Sequence, residues 1–146
     1  MSGIAFKDGD WIETARTGWG LEDRGGLLGD GLFETLHVIK GKAVRFDLHM
    51  ARLARSAAEL GLPGPRDADG MAELIGELVA RNALKDAVVR LTLTAGIGPR
   101  GLERPEELVP SLTLTAAPRK APPASLALCL SEIRRSPASL TARHKT

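Results

Sequence analysis

The chain has 146 residues, 43% of them hydrophobic and 26% charged, with a net charge of +2 and one cysteine, Cys129. That balance excludes a disordered chain and is enough for one domain that buries roughly two-thirds of its unfolded surface. It also excludes an intrachain disulfide and gives no electrostatic ground for nucleic-acid binding. With 3% aromatic residues and no Tyr, the core must come from Leu, Val, Ile and Ala. No apolar run approaches the roughly 18 residues of a membrane span. The opening MSGIAFKDGDW has no apolar signal segment, so a cytoplasmic location is expected.

In chain order, IAFKDG and DWIET predict a hairpin turned by Asp8-Gly9. LEDRGGLLGDG reads as a Gly-rich loop. In GLFETLHVIKGKAVRF, Leu32, Glu34, Leu36 and Val38 alternate with Phe33, Thr35, His37 and Ile39. Gly41 then turns the chain back into a second strand, KAVRF. A helix follows, with Asp47 as N-cap and Gly61 just past its end. Met50, Leu53, Ala54, Ala57 and Leu60 form its apolar arc, and His49, Arg52, Ser56 and Glu59 the polar one. A second helix is predicted from about Asp69 to Asn82. VVRLTLTAG and SLTLTA are strands separated by the long loop GIGPRGLERPEELVP, and long ordered loops are often functional. APRKAPPA is a proline linker. SLALCLSEI then alternates like one more strand, with no sheet of its own to join.

Taken singly, the chemical candidates stay open. Arg52 is either a solvated helix charge or an anion clamp, because guanidinium offers phosphate a permanent planar fork. Arg100 is a loop charge or a carboxylate holder. Gly29-Asp30-Gly31 precedes a strand, so it lacks the helix N-terminus that a phosphate-binding glycine loop requires. His37, His144 and Cys129 lack zinc-ligand spacing. Lys145, behind Arg143 and His144, reads as a terminal charge. A catalytic lysine needs desolvation or cationic neighbours.

Four segments in order carry a resemblance. GLLGDGLFETLHV, RFDLHMARLARSAAELGL, RLTLTAGIGPRGL and RRSPASLTARHKT resemble the N-terminal part of the class IV aminotransferases. These are the fold-type IV pyridoxal phosphate enzymes, which include branched-chain and D-amino-acid aminotransferases and aminodeoxychorismate lyase. The resemblance implies that Lys145 binds pyridoxal 5'-phosphate covalently and then acts as the acid–base. It implies that Arg52 grips the cofactor phosphate, with His49 nearby. Phe33, His49 and Arg100 fall at substrate-side positions. Phe33 stands where several aminotransferases have Tyr, and Ala95 where many relatives carry Arg.

The expected fold is α+β. A small antiparallel sheet with two helices (1–117) is followed by a proline linker (118–124) and the start of a barrel-like β domain (125–146), truncated after the lysine. The implied partners are an amino acid and a 2-oxo acid, with a homodimer as the assembly and neither nucleic acid nor membrane. Three alternatives stand beside the aminotransferase: aminodeoxychorismate lyase, an inactive fragment or non-enzymatic module, and a weak nucleic-acid or anionic-surface binder using Arg134, Arg135, Arg143 and Lys145.

Overall fold

The computed structural model describes residues 3–16, 18–65, 67–134 and 136–146. Arg135 of the basic tail lies outside them. Strands β1 (Ile4–Lys7) and β2 (Asp10–Glu13) form the first hairpin. Its turn holds Asp8 at φ 50° and Gly9 at φ 111°, the left-handed values that a two-residue hairpin needs. A short helix α1 (Arg24–Leu28) leads into β3 (Gly31–Ile39) and a two-residue β4 (Lys42–Ala43). Helices α2 (Phe46–Leu60) and α3 (Ala68–Arg81) come next, then β5 (Ala87–Thr94) and β6 (Ser111–Pro118). The six strands make one antiparallel sheet in the order β2-β1-β6-β5-β3-β4.

Alternation decides the faces. Leu32, Leu36 and Val38 of β3 are buried together with Val89, Leu91 and Leu93 of β5 and Leu114 of β6. α2 lies over β3, and α3 over β6 and β1. Met50, Leu53 and Ala57 from α2 and Met71, Ile75 and Leu78 from α3 close this core. Phe33, Arg90 and Thr92 occupy the opposite sheet face, where they are half-buried or exposed. Among the described residues, no helix is long and apolar enough to cross a membrane.

Five expectations change. The Gly-rich loop contains α1, because Asp23 caps it by accepting from Gly25 N–H at 2.8 Å and Gly29 ends it at φ 67°. Among the described residues the α-helices therefore number three, not two. The second strand of KAVRF stops at Ala43, since Arg45 enters the left-handed region at φ 52° and turns the chain into α2. Arg45 is thus the residue flanking α2, and Asp47 lies in its first turn. On α2, Ala54 is exposed while Ser56 is buried, so the inward arc is rotated toward the polar side. Lastly, 125–133 pairs with no strand among the described residues. Leu128 is 92% and Leu130 100% exposed, since alternation marks a face but supplies no neighbouring strand to bond to.

The contrast is measurable by urea denaturation. Leu36→Ala should cost about 2–5 kcal/mol, and Leu128→Ala should stay within about 0.5 kcal/mol of the parent. Similar costs for the two would contradict this core.

Candidate active site

Glu34 sits on the buried face of β3, where its alternation partners are Leu32 and Leu36, and it is 1% exposed. A carboxylate there needs partners, because burying it unpaired costs several kcal/mol. α2 supplies two of them from residues one turn apart. Arg52 donates from Nε to Glu34 Oε1 at 2.6 Å and from Nη2 to Oε2. His49 Nδ1 lies 2.8 Å from Oε2. The third comes from the far end of the chain, where Lys145 Nζ stands 3.8 Å from Oε2.

Lys145 reaches this point because its backbone docks on β3. Phe33 N–H donates to the Lys145 carbonyl at 2.9 Å. A single turn of 3-10 helix, Leu140–Arg143, precedes it, and the His144 N–H closes that turn on the Thr141 carbonyl. The His144 side chain is buried, with Glu59 of α2 3.4 Å from its Nε2. Phe33 presents its ring to two cations. Lys145 Nζ is 5.0 Å from its centroid, and the Arg90 guanidinium carbon is 3.8 Å from it.

The electrostatics follow from these contacts. Burial pushes the Glu34 carboxyl up, but hydrogen bonds from Arg52 and His49 and the charges of Arg52 and Lys145 outweigh it and hold the carboxyl below its ordinary value. The Glu34 hydrogen bond in turn raises Arg52. Glu34 is therefore ionised near neutrality and acts as a fixed anion between two cations.

Four of the five sequence-derived candidates, Phe33, His49, Arg52 and Lys145, thus come together. Arg100 does not join them. It lies in the 96–110 loop, lining a separate recess of about 370 Å³ with Leu21, Arg24, Leu27 and Leu102. Ala95 is fully buried, and its N–H donates to the Asp30 carbonyl. Sequence reasoning missed Glu34 as the hub and Arg90 as the ring partner. The signal for Glu34 was present, since an acid on the apolar face of an alternating strand must be paired with something.

A family model described as amino-transferase class IV matches residues 31–146. The chain belongs to the class IV aminotransferase family. It is 36% identical over 103 residues to D-alanine aminotransferase of Listeria monocytogenes, covering 70% of this chain and 36% of that protein. The Bacillus licheniformis D-alanine aminotransferase is 31% identical over 115 residues, covering 79% and 41%. Among solved structures, 4-amino-4-deoxychorismate lyase from Pseudomonas aeruginosa superposes with a TM-score of 0.65 at 33% identity, covering 82% of this chain and 41% of that one. Branched-chain aminotransferase from Escherichia coli shares the fold, with a TM-score of 0.75 at 20% identity over 83% and 41%. The chain thus spans about two-fifths of the length of the relatives it matches. The fold shared with these structures is the one described above, with three α-helices and a six-stranded sheet among the described residues.

Replacing Glu34 tests the electrostatic reading. Because its carboxyl is depressed on folding, its stabilisation is present above the ordinary Glu value and is lost as pH falls through the folded one. Glu34→Gln should cost about 1–3 kcal/mol at neutral pH, discounted for the 43% exposure of the Arg52 side chain. The difference between the two proteins should shrink below about pH 4. A gap that stays constant from pH 7 to pH 3 would argue against an ionised Glu34.

Proposed function

We propose that this chain supplies the covalent lysine and the phosphate grip of a pyridoxal-phosphate-dependent aminotransferase. One observation carries the reading: the Lys145 amine and the Arg52 guanidinium share the buried Glu34 carboxylate. Those two groups suit the cofactor chemically. An aldehyde needs a reachable primary amine, and the Lys145 side chain is 34% exposed. A phosphate needs a fixed fork. Arg52 spends Nε and Nη2 on Glu34, while Nη1 has no partner among the described residues.

Bound pyridoxal phosphate would supply the electron sink that makes a substrate Cα–H acidic. Lys145 Nζ would hold the cofactor and then take and return that proton. Glu34 keeps Lys145 and Arg52 at a set separation, and His49 fixes the carboxylate that does so. Phe33 covers the amine with apolar surface, and the Arg90 guanidinium packs against the same ring. An amino acid and a 2-oxo acid are then the substrate class. The D-alanine aminotransferases among the relatives make D-alanine the first donor to try.

A lyase is the second reading. Phe33 has no hydroxyl, and the Pseudomonas aeruginosa lyase shares 33% identity with this chain. The two reactions separate on one requirement. Amino transfer stops without a 2-oxo acid acceptor, and elimination does not. We also propose a homodimer, formed over the exposed Leu21, Leu27 and Leu102 and presenting Arg100 to the substrate carboxylate in the second copy.

Borohydride reduction in the presence of pyridoxal phosphate, read by peptide mass, tests the lysine. The parent should carry one stoichiometric label at Lys145 and Lys145→Ala none. Arg52→Ala should weaken cofactor binding about ten- to hundredfold, the worth of a charge-assisted bond. Equal labelling of Lys145→Ala would sink the proposal.

A second expectation concerns the segment that brings the lysine in. His144 is buried against Glu59, so His144→Ala should open a cavity and release the docked turn. Amide exchange at Phe33 should then speed up, because the Phe33 N–H is held by the Lys145 carbonyl. An unchanged Phe33 exchange rate would show that the turn docks without the histidine.

A further inference from the structure

The 96–110 loop carries Arg100, and one ion cluster fastens it. Arg24 of α1 is buried. It donates from Nε to Asp30 Oδ2 at 2.9 Å, from Nη1 to the Glu103 carbonyl at 2.8 Å and from Nη2 to the Leu102 carbonyl at 3.0 Å. Arg104 approaches the same carboxylate from the loop side. Its Nε donates to Asp30 Oδ2 at 3.0 Å and its Nη2 to Oδ1. Its Nη1 donates at 2.6 Å to the Leu60 carbonyl, which ends α2. A single carboxylate thus joins two guanidinium forks that reach α1, the loop and α2.

The near end of the loop is fastened by backbone. Arg24 N–H donates to the Gly96 carbonyl at 2.9 Å and Gly98 N–H to the Glu22 carbonyl at 3.3 Å. Gly98 runs so close to Arg24 that an added Cβ would fall 2.7 Å from the arginine Cδ. Only Pro99, Arg100 and Gly101 lie between the two fastenings, and all three are half-buried or exposed. The tip is therefore short and held at both ends.

We infer that Asp30 is a positioning residue which, through Arg24 and Arg104, fixes the loop tip and so sets where Arg100 meets a substrate carboxylate. The link to substrate rests on the aminotransferase reading above; the link to the loop does not. Within β3 and the residue before it, Glu34 then organises the cofactor side and Asp30 the substrate side.

Trypsin reads the tip directly. Arg104 precedes Pro105, a bond trypsin resists, so Arg100–Gly101 is its one susceptible bond in the loop. In the full-length protein, Arg104→Met and Asp30→Asn should each raise the nicking rate at Arg100 about tenfold, and the double variant no further than either alone. Arg104→Met keeps the Arg24–Asp30 pair, so it keeps the test decisive if Asp30→Asn folds poorly. With D-alanine and 2-oxoglutarate as probes, KM for D-alanine should rise about tenfold while kcat stays within about twofold. Labelling at Lys145 should not change. An unaltered nicking rate in Arg104→Met, or rates that multiply in the double variant, would overturn the clamp. Faster nicking with an unmoved KM would overturn its link to substrate. A parent protein with no turnover and no label would count against the aminotransferase reading, and the nicking ratio would still decide the clamp.

Discussion

A carboxylate with 1% exposure organises this molecule. Glu34 lies where the strand pattern calls for an apolar residue, and its position dictates what must face it. α2 answers with His49 and Arg52, which share a helix face because they are three residues apart. Fixing those two contacts fixes the rotation of α2 on β3, which explains why Ser56 turns inward and Ala54 outward. Stability does not account for the arrangement, because an apolar replacement of a buried ion pair is often neutral or favourable. Holding two cations at a fixed separation does account for it. On the proposed reading, an amine and a guanidinium placed on the same anion are pre-organised for a ligand that bears both an aldehyde and a phosphate.

The same logic recurs four residues earlier with different geometry. Asp30 is also held below its ordinary carboxyl value. Burial pushes it up, and the hydrogen bonds and charges of Arg104 and Arg24 more than compensate. Its partners are spent on backbone carbonyls and on a loop, not on an open surface. Glu34 leaves a guanidinium nitrogen and an amine reachable, whereas Asp30 uses its arginines to tie segments together. Two acids on one short stretch thus do separate jobs, and the chemistry of their partners tells them apart.

Much of this was legible in the sequence. The alternation of Leu32, Leu36 and Val38 and of Val89, Leu91 and Leu93 fixed the sheet faces, and the Asp8-Gly9 turn and the Gly61 helix end followed local rules. What sequence missed was set by neighbours distant in the chain. Arg45 takes a left-handed conformation with no glycine or side-chain cap to announce it. The Arg24 side chain is buried because carbonyls of residues 102 and 103 come to meet it, across some 78 residues. Leu126, Leu128 and Leu130 have the right period for a strand. A period describes one strand, though, and pairing is a property of two. The site was read as a set of members without its centre, because the resemblance pointed to the cations and only burial points to the anion they share.

The brevity of β4 shows how backbone detail makes room for chemistry. A longer β4 would continue past Ala43 and bond along β3 toward Gly31. Instead it pairs only at Val38 and Ile39, and Val44 N–H adds one last bond to the His37 carbonyl before Arg45 turns away. The edge of β3 beside Phe33 is left without a strand. An unpaired edge N–H seeks an acceptor, and the Phe33 N–H finds the carbonyl of Lys145. Side chains alternate across a strand, so Phe33 and Glu34 point to opposite faces. A lysine docked on the edge between them brings its Nζ to 5.0 Å from the aromatic centroid on one face and 3.8 Å from the buried carboxylate on the other. The left-handed Arg45 costs about 1–2 kcal/mol as a non-glycine residue. That strain is the condition for an open edge, and the open edge is what brings residue 145 to residue 34.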